Sequence, residues 1–358
     1  MRGSLAAPLK YPVDTLASGT IVGKAGTSVR GGSEMSYKAY AATMQSVWFS
    51  EDEGVSWNRL LTPTGGFYNE ARTWAVCTHP DRPGELLAGS DQGLYRYSEA
   101  AGRFDHVPSP MEGLHILKIA QCPADPDCIV CGTRPAEIFI SEDNGATWMR
   151  SNLDASTECW FINTSRVTSV HFDPKDADTI WITVEIDGVF RSGDRGRTWE
   201  MIIRGLHDND THDLVFRDRE DGSRTVLCST EDGVHRSDDS GATWEQLVVP
   251  QAKWDYFRSL KQPAENSDTV IASVGDKPSG EAGQLLVSKD FGESWAECEM
   301  SHPANSTIWS IGTNAADTSL LFAATIFGQI FRSVDGGESW QKMERELGEI
   351  RMITWAPV

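Results

Sequence analysis

The chain has 358 residues, with 32 basic side chains against 52 acidic ones and a formal net charge of −20 at pH 7. That balance argues against a nucleic-acid or anionic-membrane surface, because phosphate binding needs a basic footprint. No stretch approaches the ~18 apolar residues of a membrane span, and the run from Met1 to Pro8 carries no apolar core of signal-peptide length.

The seven cysteines are an odd number. Cys128 and Cys131 have CxxC spacing inside an apparent strand, where residues three apart face opposite sides. Zinc or redox chemistry is therefore not expected of them, and reduced, buried thiols in a cytoplasmic protein are.

In chain order, the first well-marked element is the apolar run Val47-Trp48-Phe49, followed by a polar phrase that opens at Ser50. Reduced to its fixed positions the phrase reads Ser-x-Asp-x-Gly-x-Ser/Thr-Trp. It occurs six times, opening at Ser50, Ser141, Ser192, Ser237, Ser288 and Ser333. Each copy follows β-prone residues, so each is predicted to be a hairpin turn. Its Asp accepts backbone N–H bonds and its Gly takes φ > 0. Its Trp, on the returning strand, is large enough to bury against a neighbouring repeat.

A decayed seventh copy lies between the first two, at Ser98. It keeps the strand and Gly102, replaces the Asp with Ala100 and lacks the Trp. With it the openings fall 43 to 51 residues apart, a period that signals propeller blades of four short strands.

Upstream of each later turn lies a second recurring phrase, an apolar strand ending near Pro, Asp or Asn. Trp74–Pro80, Ile116–Pro123, Val167–Pro174, Asp213–Asp218, Phe257–Pro263 and Trp309–Asn314 are its copies. These read as the innermost strand of each blade. Arg351 to Pro357 is a further such strand with no turn after it, and the Ser50 turn has no such strand before it. The two ends should complete one blade, which removes the exposed sheet edges at the seam.

The expected fold is thus an all-β, seven-bladed propeller of four-stranded antiparallel blades, in a single domain over 1–358. The blades are expected near 19–61 plus 348–358, then 70–107, 114–150, 166–202, 211–247, 255–297 and 307–343.

The repeated phrase resembles the Asp-box, or bacterial neuraminidase repeat, of sialidase-like β-propellers, sortilin-type receptors, some glucan-cleaving glycosidases and photosystem assembly factors. The resemblance covers nearly the whole chain and implies that the turns lie away from the active face. It implies no single activity, because the family holds enzymes and non-enzymes. Sialidases carry an Arg-Ile-Pro motif, whereas the corresponding region here reads Thr27-Ser28-Val29-Arg30-Gly31-Gly32. No sialidase catalytic residue is carried over.

If the turns mark one face, the loops entering the inner strands form the mouth of the funnel. Aligning the inner strands places Arg72, His115, Arg166, Asp210, Asp255, Ser306 and Glu349 there. Two residues further in, by the period of two, come Trp74, Leu117, Thr168, His212, Phe257, Ile308 and Arg351. The loops between second and third strands add Lys24, Asp91, Arg134, Glu137, Glu185, Asp187, Glu231, Asp232 and Asp276.

Arg72, Arg134, Arg166 and Arg351 are candidates to converge on a carboxylate, since guanidinium binds planar oxyanions bidentately, and Arg258 is a further candidate ligand-binding residue. The alternative is that each pairs with an acid of the next blade. Glu185 and Glu231 occupy equivalent places in adjacent blades and are candidates for paired acid and base. His115 and His212 are alternative bases. Trp160 and Tyr256 bring aromatic faces toward the same mouth.

The first functional reading is a glycosidase-like hydrolase or lyase acting on a small anionic or sugar-like ligand. The second is a non-catalytic scaffold recognising a protein partner. No cofactor is expected. A metal held by His115 or His212 with a carboxylate remains a third option.

Overall fold

The computed structural model describes residues 36–60, 71–159 and 163–358. Lys24, the 27–32 stretch and Trp160 lie outside the described residues, as does the first part of the 19–61 segment.

Among the described residues there are strands but no helix, arranged as seven antiparallel sheets of four strands, one of them extended to five, plus a small two-stranded hairpin. The innermost strands are Thr73–Thr78, His115–Cys122, Val167–Phe172, Thr211–Asp218, Tyr256–Lys261, Ile308–Gly312 and Ile350–Pro357. Each touches the inner strand on either side, and the series closes on itself. We number the blades from the one holding both chain ends.

Blade 1 is sealed as the sequence predicts. Ile350–Pro357 pairs with Tyr37–Thr43, from Tyr37 opposite Pro357 to Thr43 opposite Ile350. An eight-residue strand from the carboxy-terminal end thereby becomes the innermost strand of a sheet begun some 300 residues earlier. One link escapes the sequence pattern. Glu299–Met300, just past the outer strand of blade 6, pairs in parallel with Ser339–Lys342 of blade 7.

The repeated turns are built as their chemistry dictates. In the copy at Ser192, the Ser192 hydroxyl donates to Asp194 Oδ1 (2.8 Å) and accepts the Gly196 N–H (2.7 Å). Asp194 also accepts the Thr198 N–H (2.8 Å) and the Thr198 hydroxyl (2.7 Å). Those bonds from Thr198 hold the Asp194 carboxyl down to about 2.

The glycine answers two demands. Its φ is positive, +76° at Gly196 and +95° at Gly337, and a Cβ would fall 2.4 Å from Ile140 or Ile271 of the preceding blade. The Trp lies on that same preceding blade. Trp57 packs with Leu320 and Phe322, and Trp340 packs with Ile271 and Leu285. Each indole is a staple between wedges. The decayed turn at Ser98 folds otherwise. Gly93–Ser98 and Arg103–Val107 pair over five residues, against two in each of the other six blades.

Candidate functional site

Every inner strand carries a one-residue bulge near its mouth end. The ladders skip Trp74, Leu117, Thr168, His212, Arg258, Trp309 and Arg351, one per blade. A bulged residue has no partner across the ladder and its side chain is re-aimed. Counting by two placed Phe257 and Ile308 in this ring. The bulges in blades 6 and 7 come one residue later, so Arg258 and Trp309 take those places. Phe257 and Ile308 turn into the cores between blades.

One cavity on the axis is lined by Trp74, Leu117, Lys118, Arg166, Val167, Arg258, Trp309 and Arg351. Trp309 is its hub. The guanidinium carbons of Arg258, Arg351 and Arg166 lie 4.0, 5.3 and 6.0 Å from its ring centre, within reach of its negative face. Arg351 also lies 4.8 Å over Trp74, which stacks on His115 at 5.3 Å.

Two acids balance part of this charge. Arg166 donates to Glu185 at 2.6 Å, and Arg351 pairs with Glu349. Arg258 Nη1 is buried and makes no hydrogen bond. Burial pushes Arg351 down to about 10, against the pull of Glu349. Burial first, and then Arg258, push Lys118 down to about 7. The lining itself holds four basic side chains and no carboxylate, while Glu185 and Glu349 pair with Arg166 and Arg351, and Asp213 and Asp210 act on Lys118 and Arg258 from outside it. The cavity lining is therefore basic in a strongly acidic protein. The side chains leave about 20 Å³ between them, room for one water molecule or one small end group.

One level deeper, Asp213 ties three blades together. It accepts from Ser259 Oγ (3.0 Å), the Leu260 N–H (3.2 Å) and Lys261 Nζ (2.9 Å), and His171 Nε2 lies 3.1 Å away. Burial opposes its ionisation, but Lys261 and His171 hold its carboxyl far below the usual range.

On the rim beside Arg258, Tyr256 lies edge-on to His212 at 4.9 Å. His212 is buried, with Nδ1 2.6 Å from the Phe257 carbonyl and Nε2 3.4 Å from Asp210 Oδ1. Asp210 lies beside Glu231. Burial and the bond to Asp210 raise Glu231 well above the carboxylate range. Burial opposes ionisation at Asp210, but His212, the bond to Glu231 and Arg258 keep it low.

The structure sorts the sequence candidates into groups. Arg166, Arg258 and Arg351 converge. Arg72 and Arg134 lie instead beside His115, and burial together with these cations lowers its pKa. Glu185 is buried and committed to Arg166, whereas Glu231 is exposed and bonded to Asp210, so each carboxylate has a partner other than the one the sequence suggested. Among the described residues, no group of three or more His, Cys, Asp or Glu is placed to hold a metal ion. The seven cysteines are free, Cys128 and Cys131 both buried within Asp125–Arg134.

Sequence reasoning missed Lys118 and Asp213. The available signal was a single charged residue inside each of two apolar inner strands, Ile116-Leu117-Lys118-Ile119 and Asp213-Leu214-Val215-Phe216.

Comparison with known proteins supports the architecture. The family model Sortilin-Vps10 (sortilin, neurotensin receptor 3) matches residues 187–325, under half of the chain. The oligoxyloglucan-reducing end-specific xyloglucanase of Emericella nidulans is 25% identical over 187 residues, 46% of this chain and 22% of that protein. Among solved structures, an ancestral GH74 enzyme superposes with a TM-score of 0.60 at 13% identity, covering 80% of this chain and 38% of its own.

The GH74 xyloglucanase from Xanthomonas campestris superposes at 0.58 and 19% identity, covering 86% and 46%. YCF48 from Cyanidioschyzon merolae does so at 0.53 and 12%, covering 81% and 88%. This chain thus spans about a fifth of the curated relative and under half of either GH74 structure. It is a seven-bladed β-propeller, similar in part to a sortilin-type domain and in fold to GH74 xyloglucanases.

Proposed function

We propose that this propeller binds a small acidic, sugar-like ligand by its carboxylate at the axial mouth, and acts on it as a glycosidase-like hydrolase or lyase. One observation carries the reading: three guanidinium carbons lie within 6.0 Å of the Trp309 ring centre, one of them with a buried, unbonded Nη1. Planar guanidinium groups match a carboxylate in shape and charge. The space between them admits the acidic group, while the rest of the ligand lies across the mouth.

Glu231, carrying its proton beside ionised Asp210, is the acid at hand for a leaving oxygen. The two carboxyls are in contact, whereas glycosidase pairs stand roughly 5 to 9.5 Å apart. The pair therefore acts as one acid supported by a charged neighbour. The named activity of the xyloglucanase relatives supports the reaction class. The repeated turns, read as Asp-boxes, support a sialidase-like ancestry, and the seven free thiols support a cytoplasmic setting.

The test is thermal shift and calorimetry with glucuronate against glucose. Glucuronate should bind and glucose should not. Arg258→Ala and the charge-keeping Arg258→Lys should each weaken binding by about tenfold or more, in line with a lost charged hydrogen bond. Equal binding of the two sugars, or full affinity in both variants, would overturn the proposal.

A second reading follows from the narrow space. A mouth that admits only an end group also suits a scaffold that grips an acidic terminus of a protein partner. A carboxylate-terminated peptide that binds where glucuronate fails would favour it.

A further inference from the structure

Six seams between blades are closed by the same device. Trp57, Trp148, Trp199, Trp244, Trp295 and Trp340 each pack into the core shared with the preceding blade. The seventh seam, between blades 1 and 2, belongs to the decayed turn. The position that would carry the indole is Asp105, and it is exposed. Phe104, one residue earlier, enters the seam core with Tyr97.

Beside it lies a cavity of about 120 Å³, lined by Lys38, Tyr40, Phe49, Leu60 and Tyr97, with Glu51 and Glu99 at its rim. A lined apolar cavity of roughly 150 Å³ is large enough to take a benzene ring. Lys38 is only 9% exposed, yet it is held between two half-exposed acids, Glu51 at 2.9 Å and Glu99 at 2.5 Å. One cation between two carboxylates leaves the rim one negative charge in excess.

We propose that this seam is a ligand site for a planar aromatic ring that carries an amine, its inner six-membered portion in the cavity and the remainder toward the open rim. The ring lies against Tyr40, Phe49 and Tyr97. The amine meets the surplus carboxylate at the rim, where an acid-bearing ring is repelled. The site lies on the face of the repeated turns, as the rim residues Glu51 and Glu99 belong to the turns at Ser50 and Ser98. It is independent of the arginine mouth and does not rest on the function proposed for it.

The probes are tryptamine, indole and indole-3-acetate, each measured by thermal shift and by saturation-transfer NMR on the full chain. Tryptamine should raise the melting temperature most, indole less and indole-3-acetate least. Leu60→Phe fills the cavity and should abolish binding of all three while the protein stays as stable as before. Glu99→Gln, a change at a half-exposed side chain, should shrink the preference for tryptamine over indole-3-acetate. No response to any probe would overturn the proposal. So would binding that persists undiminished in Leu60→Phe, which would place the ring on Trp309 or Trp74. Indole-3-acetate binding best would overturn the charge assignment.

Discussion

The two faces of the ring spend the same side chains in opposite ways. On one face Asp194 takes all its partners from residues within four positions along the chain. At the other, Asp213 collects Ser259, Leu260 and Lys261 of the next blade, from 46 to 48 residues away. The first arrangement survives wherever a hairpin forms. The second exists only once the blades are docked. Local charge clusters therefore report on fold, and charge gathered across blades is where a ligand site is to be sought.

Removing residues 350–358 should have the largest effect of any change considered. It takes the innermost strand from blade 1 and exposes the edge of Tyr37–Thr43. No cooperative unfolding transition should remain by circular dichroism. A truncated chain that melts normally would show that the ring closes without its seal.

Next comes Trp340→Ala, which empties a fully buried staple and should cost ~3–5 kcal/mol in urea denaturation. A loss under about 1 kcal/mol would mean that the seams, unlike cores, collapse freely around a missing indole.

Glu185→Gln breaks the Arg166–Glu185 ion pair of the mouth. It leaves Arg166 with a neutral acceptor and should cost about 2 kcal/mol. It should also tighten anion binding, since one competing carboxylate has gone. Weaker binding of glucuronate in this variant would assign Arg166 to structure and remove it from the site.

Smaller still is the pH dependence of that binding. Lys118 is held at about 7, so raising the pH through that value discharges it and removes a cation from the lining. Glucuronate affinity should fall by a fewfold between pH 6 and pH 8, and Lys118→Met should flatten the profile.

The smallest effect belongs to the other face. Asp194 is depressed to about 2 in the folded chain, against an ordinary value of about 3.9. Its stabilising contribution is thus complete above pH ~4 and fades as pH falls toward 2. The stability difference between the parent and Asp194→Asn should close over that acid range and stay constant above it.

The architecture was legible because its determinants are short-range. Ser-x-Asp-x-Gly-x-Ser/Thr-Trp closes its hydrogen bonds within eight residues, so six copies announce six hairpins without any tertiary information. The unmatched inner strand at the carboxy terminus announced the closure. The fate of the seventh turn was half legible: the lost Asp and Trp were visible, but the longer hairpin and the cavity beside Leu60 were not, since both depend on how two blades meet.

Much of the candidate site was decided by tertiary structure alone. A bulge is set by strand pairing and leaves no mark in residue order. For this reason counting by two chose Phe257 and Ile308 where Arg258 and Trp309 face the axis. Strand pairing within single blades brought Glu185 to Arg166 and Glu231 to Asp210 across the mouth of one hairpin each, and docking of the blades lowered Lys118 by burying it. Periodicity along the chain sets which strands and turns form. Only the docked ring settles which charges face one another, because Coulomb and desolvation energies depend on distance and burial rather than on order in the sequence.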